Sequence, residues 1–193
     1  MKKSILESLL GALAVGAYAQ GQIALDNFSN TSTAPSAAAN GLFWLSTAGS
    51  PVLINQDFNA AFYGGANSSS LALLSLFLLS DGSAVHDNAF PGKFSDPTVN
   101  VYTIQGATTS AFFQIQAWTG NFNSYAAAVA GGSAAAQSPV FVNPVELPPG
   151  PPADFINMPA MVLSTVPEPS IFALAGLGCS VLLWRWRRGN SDR

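Results

Sequence analysis

The sequence is short of charge. Only 9% of its 193 residues are Asp, Glu, Lys or Arg, where a soluble domain averages about 25%. Positive charge is scarcest away from the ends. The basic residues are Lys2, Lys3, Lys93, Arg185, Arg187, Arg188 and Arg193, so Lys93 stands alone in the middle. Between Gln20 and Thr165 the acids are Asp26, Asp57, Asp81, Asp87, Asp96, Glu146 and Asp154. These seven against one lysine leave that stretch at −6. A nucleic-acid binder needs a basic stripe to neutralise phosphates, so that class is excluded. One cysteine and one histidine exclude a disulfide framework and a Cys/His zinc site. Nothing in the pattern asks for a cofactor.

What is present begins with two unusual ends. Lys2 and Lys3 precede an apolar run, Ile5 to Val15, and Ala17-Tyr18-Ala19 then supplies small residues at two alternate positions. Charge, apolar run and small-residue site in that order predict a secretory signal peptide over 1–19, read by signal peptidase at Ala17 and Ala19. At the other end, Val166-Pro167-Glu168-Pro169-Ser170 leads into an uncharged run, Ile171 to Trp184, closed by Arg185, Arg187 and Arg188. Fourteen helical residues reach about 21 Å, short of a hydrocarbon core of about 30 Å. Trp184 and Trp186 suit an interface, however, and long arginine side chains can snorkel to headgroups. The run is therefore expected to be a transmembrane helix, with its arginines as a cytoplasmic stop.

This order of motif, span and arginine cluster resembles the PEP-CTERM sorting signal of Gram-negative bacteria. The residues carrying the likeness are Pro167, Glu168 and Pro169, the span 171–184, and Arg185, Arg187 and Arg188. The resemblance implies an exosortase in the inner membrane as processing partner. It also implies a transient inner-membrane intermediate, and release to the cell surface or extracellular matrix of a Gram-negative-type bacterium. Lipoprotein anchoring is excluded, because the only cysteine, Cys179, sits inside the span. Leu147-Pro148-Pro149-Gly150 lacks the threonine of a sortase signal. The chain thus divides into a signal peptide (1–19), an extracellular domain (20–165) and a sorting signal (166–193).

The middle reads as short strands between Gly, Asn, Ser and Pro. Ile23, Leu25 and Asn27 start a period-two stretch. Leu42 to Leu45 and Val52 to Asn55 flank Ala48-Gly49-Ser50, a hairpin pattern. Asn59 to Tyr63 ends at two glycines. The run LALLSLFLL, Leu71 to Leu79, fits helix or strand by periodicity and is assigned to a strand by its neighbours. Val99 to Ile104 alternates. Ala111 to Thr119 places Phe113, Ile115 and Ala117 on one face, and Phe112, Gln114, Gln116 and Trp118 on the other. One short helix is predicted near Ser124 to Ala130, capped by Asn123 or Ser124 and stopped by Gly131-Gly132. Pro139 to Val142 and Met161 to Leu163 complete the strands, separated by a proline-rich loop at Leu147 to Pro152. The expected fold is mainly β, an antiparallel sandwich or jelly-roll-like domain, flanked by the two terminal helices. The phrases INQDF, LLSDG, AFFQIQAWTGNFNSYAAAVAGG and SPVFVNPV resemble uncharacterised exported proteins of Verrucomicrobia-like bacteria that carry the same tail. That likeness brings no activity with it.

Chemistry-bearing residues are sparse. His86 is the only imidazole, and Ser83, His86 and Asp87 make a nominal Ser/His/Asp set without a nucleophile elbow. Asp81, Asp87, Asn88 and Asp96 are oxygen donors suited to Ca²⁺, but their spacing matches neither the EF-hand loop nor the glycine-rich calcium repeat of a β-helix, and turn-forming Asp and Asn are the plainer reading. Phe43, Trp44, Phe62, Tyr63, Phe112, Phe113 and Trp118 would stack on sugars if exposed, yet on strands most should point inward. Asn27, Asn30 and Asn67 begin glycosylation sequons, and the loop from Asn27 to Asn40 is either a glycan carrier or an ordinary connection. The reading is a non-enzymatic, structural or adhesive surface or matrix protein. A carbohydrate- or calcium-binding module of the exopolysaccharide layer is the alternative, with that polysaccharide as candidate partner. A secreted hydrolase comes last.

Overall fold

The computed structural model describes residues 20–47, 50–84, 90–96, 98 and 100–165. Ten strands dominate the described residues. They are β1 (Gln20–Ala24), β2 (Phe43–Thr47), β3 (Ser50–Leu53), β4 (Asn59–Gly65), β5 (Ala72–Phe77), β6 (Val101–Gln105), β7 (Ser110–Trp118), β8 (Ala134–Gln137), β9 (Phe141–Pro144) and β10 (Met161–Thr165). Among the described residues one α-helix, α1 (Tyr125–Ala130), follows β7, and a 3-10 turn at Leu79–Asp81 follows β5. Among the described residues no helix is long and apolar enough to cross a membrane. Both expected terminal helices lie outside the described residues.

The mainly β expectation holds. The large sheet runs β3-β2-β10-β8-β7-β4-β5, with β9 also paired to β7; β1 and β6 form a separate antiparallel pair. Besides an isolated parallel bridge between Ile23 and Ala153, one of the strand pairs departs from the expected antiparallel pattern, since β2 and β10 are parallel. The cause lies in the segments leading into them. Residues 40–42 and 156–161 are already bonded side by side, Asn40 N–H to Ile156 O, Gly41 N–H to Met158 O and Met161 N–H to Leu42 O. They enter the sheet running the same way. Gly41 permits this approach, because a Cβ there would lie 2.1 Å from the Ala160 nitrogen.

β7 organises the sheet. Its N–H and C=O groups serve β4 along one edge. Along the other edge they serve β9 at its start and β8 at its end. Residue sums of paired positions differ by one between β8 and β9, so the two are one strand interrupted by a single-residue bulge. Pro139 sits in the interruption and has no N–H to give. Ser138 closes the gap: its Oγ accepts from Ile115 N–H at 2.9 Å, and its own N–H donates to Ile115 O.

Alternation along β7 divides the apolar residues between two faces, as its sequence predicts. Ala111, Phe113, Ile115 and Ala117 join the main core. Six fully buried phenylalanines fill it: Phe43, Phe58, Phe62, Phe94, Phe113 and Phe155. The Phe62 ring meets those of Phe77, Phe94 and Phe155 at 5.0–6.0 Å. Each such ring pair contributes about 0.5–1.5 kcal/mol beyond the area it buries, so the core holds without covalent staples. Ile23 and Ile104, from β1 and β6, close the same core from the opposite side. Trp118 faces the other way and is equally buried. α1 covers it: the Trp118 indole donates to Phe122 O at 2.8 Å and Tyr125 stands edge-on at 6.5 Å. Ser124 caps α1 by accepting from Ala127 N–H.

Three buried asparagines hold the loops. Asn59 donates to Trp118 O and Gly120 O and accepts from Leu79 N–H. Asn27 donates to Gly41 O and Gly92 O and accepts from Phe94 N–H. Asn143 donates to Pro144 O and Asp154 O and accepts from Asn157 N–H. Each amide ties backbone groups of separate segments together and satisfies them where they are buried. Leaving one buried group unpaired costs about 1–3 kcal/mol. Asn59→Ala is therefore expected to lower unfolding free energy by at least that much in a urea titration, while exposed Asn67→Ala stays within about 0.5 kcal/mol of wild type.

Candidate functional site

The residues singled out for sorting are Ala17, Ala19, Pro167, Glu168, Pro169, Arg185, Arg187 and Arg188. All lie outside the described residues, as do His86, Asp87 and Asn88. What the structure fixes is the strand that leads to the tail. β10 is bonded to β2 through Met161–Leu163 and to β8 through Ser164 and Thr165. It is the sole link in the sheet order between the β2–β3 hairpin and the remaining strands. Its last residues, Ser164 and Thr165, are exposed.

The other candidates are distributed through the domain. Ser83 and Asp81 bond each other within the turn after β5, where both the Ser83 N–H and its hydroxyl donate to Asp81 Oδ1. These bonds hold the Asp81 carboxyl below its ordinary pKa. Ser83 Oγ also accepts from Leu78 N–H. Its lone pairs and proton thus stabilise a turn. Asp96 is buried elsewhere and accepts from Thr98, from Asn100 N–H and from the Tyr102 hydroxyl at 2.9 Å. Asp81 and Asp96 each serve their own loop, and among the described residues no three His, Cys, Asp or Glu side chains converge. Asn27 and Asn30 are fully buried with their amide nitrogens bonded to backbone carbonyls, so their sequons are closed in the folded domain.

Of the seven aromatics considered for sugar stacking, Phe43, Trp44, Phe62, Phe113 and Trp118 are buried. Tyr63 and Phe112 remain half-exposed on the outer face of the large sheet. Tyr63 lies in a groove of about 260 Å³ between the sheet and α1, with Ala61, Leu73, Leu76, Gln116 and Tyr125. Tyr63 O–H donates to Gln116 Oε1 at 3.4 Å, and Gln116 donates on to Gln137 Oε1 at 2.9 Å. The sequence reading missed Tyr125, the first residue of α1; its position becomes meaningful only when α1 folds back over Trp118. The groove offers two aromatic walls and an amide ladder, with no charge among its lining residues.

An acidic corner lies apart from it. Asp26 bridges to Ser95, and its carbonyl accepts from Phe155 N–H. Burial first, and then the charge of Asp154, push the Asp26 carboxyl above its ordinary value of 3.8; a bond from Phe28 N–H opposes this. Asp154 is held by the Ser29 hydroxyl. Against this frame of structural bonding, comparison with known families yields one match: residues 165–188 fit the PEP-CTERM protein-sorting motif. No curated protein and no solved structure gives a match. The motif implies an exported protein targeted to an exosortase and sorted to the cell surface. It starts at the last residue of β10.

A raised carboxyl pKa means that ionising Asp26 costs the folded state stability. The cost is complete above the folded pKa and vanishes below the unfolded value near 3.8. Asp26→Asn should accordingly raise the Tm at neutral pH, with the difference shrinking to nothing as pH falls below 3.8. A Tm difference that stays constant across that range would contradict the assignment.

Proposed function

We propose that the chain is an exported protein matured at both ends, whose β-domain serves the cell surface or extracellular matrix in a structural or adhesive role without catalysis. The sorting motif at residues 165–188 carries this reading. Signal peptidase removes 1–19 after the Ala17-Tyr18-Ala19 site. The span 171–184 then enters the inner membrane, and Arg185, Arg187 and Arg188 stop it on the cytoplasmic side. Pro167 and Pro169 fix φ on either side of Glu168 and disfavour helix in the residue before each ring. The motif is thus a stiff, extended epitope that costs little entropy to bind. Glu168 is its only charge and the natural handle for a basic group on the processing enzyme.

The non-catalytic part is supported by the bonding of Ser83, Asp81 and Asp96, each engaged in holding a turn. A second reading, carbohydrate binding, is favoured by the Tyr63–Tyr125 groove, because aromatic walls with amide donors suit sugar rings. Tyr125→Ala should then weaken retention on the host polysaccharide by about 1–2 kcal/mol in an affinity titration. Equal retention would remove that reading.

The sorting step is tested by mass spectrometry in a host carrying the exosortase. Wild type should lose the span and its arginines. Glu168→Ala should keep them and remain in the inner membrane. If wild type also keeps them, the tail is a plain anchor and the sorting reading fails.

A further inference from the structure

We propose that β5 pairs with β5 of a second copy of this chain, antiparallel about a two-fold axis, so that two large sheets join into one. This goes beyond the sorting reading and does not rest on it. β5 ends the sheet order: β4 lies on one side, and among the described residues no strand lies on the other. An edge strand presents alternate backbone N–H and C=O groups that call for a partner strand. The opposite edge, β3, carries Pro51, a standard guard. β5 has none. Its sequence, ALLSLF, contains neither charge nor proline, and Leu73 and Leu76 are 52% and 38% exposed.

The bulge in β5 selects the occupant. The register against β4 shifts between Phe62 and Tyr63, leaving Leu74 without a counterpart. A regular strand laid along this edge would lose register at that point. A two-fold copy carries the same bulge at the matching place. The faces confirm the fit. Ala72 and Phe77 pair with the core-side residues Gly64 and Ala60, while Leu73 and Leu76 pair with the outward residues Tyr63 and Ala61. Leu74 and Ser75 both look inward: Leu74 packs against the core, and Ser75 accepts from the Tyr102 hydroxyl. The pattern is therefore palindromic about the Leu74–Ser75 bond. With the axis there, Ala72 lies opposite Phe77, Leu73 opposite Leu76 and Leu74 opposite Ser75, each pair on one face.

Charge agrees. The stretch from Gln20 to Thr165 is net negative, so two copies repel unless their acids are kept apart. β5 contributes no charge, and Asp81 lies beyond its end. In an antiparallel pair the two Asp81 side chains fall at opposite ends of the joined strands.

The test uses the full chain in mild detergent, with Cys179→Ser to remove the only native thiol. Oxidation of L73C/L76C should give a covalent dimer, because position 73 of one copy faces position 76 of the other, within disulfide reach. L73C alone and L76C alone should give none. Without introduced cysteines, light scattering should show a dimer, and Leu73→Lys/Leu76→Lys should halve the protein mass while leaving the circular-dichroism spectrum unchanged. A monomeric wild type overturns the proposal. So does cross-linking of the single variants as readily as the double, or a dimer that survives the lysines; the last would place association elsewhere, the tail included.

Discussion

Buried amide side chains are the bonds on which this fold depends. In a domain with a single lysine there is little scope for ion pairs to hold loops down. Buried backbone groups must still find partners. Asn27, Asn59 and Asn143 each give two N–H donors and one acceptor to backbone atoms, and all of these but Pro144 O lie at least eleven residues away. A neutral amide carries both hydrogen-bonding characters and no charge to desolvate, so it does this at lower cost than a carboxylate. Lys93 fits the same economy: its ammonium donates to Phe28 O and lies 5.8 Å above the Phe28 and Phe90 rings.

The large sheet is used on both faces, and the helix makes that possible. On the inner face Phe62, Phe113 and Ile115 pack against Phe94 and Phe155. On the outer face Trp118 is too large to leave exposed, and α1 folds over it with Ala128 and Tyr125. The same fold-back builds one wall of the groove beside Tyr63. Stability and surface shape here come from one act of packing.

Local signals were legible where one residue pattern decides one element. Ile23, Leu25 and Asn27 alternate in the sequence and are all buried. β2 and β3 pair antiparallel as the expected hairpin, with Trp44 opposite Leu53. Ser124 and the alanines after it specify α1. β8 was not legible, because AAAQ has low strand propensity; its alanines are there for room, with Ala135 beside Trp118 and Ala134 in the main core. The parallel placement of β10 depends on contacts between segments more than a hundred residues apart, which no local window contains. Likewise LALLSLFLL reads as a strand by its neighbours, and only the strand order reveals that β5 is an edge. The sorting motif is contiguous and could be read directly. The groove joins β4, β5, β7 and α1 and could not.

The position of β10 constrains where the tail can be severed. Its first three residues hold β2, and its last two hold β8. A cut within Met161–Thr165 would detach the β2–β3 hairpin from the sheet and open the core at Met161 and Leu163, both buried. A cut beyond Thr165 leaves every described pairing intact. The matched motif begins at Thr165, where the ladder ends. The boundary between the strand pairings that must stay intact and the matched sorting motif therefore falls at one residue.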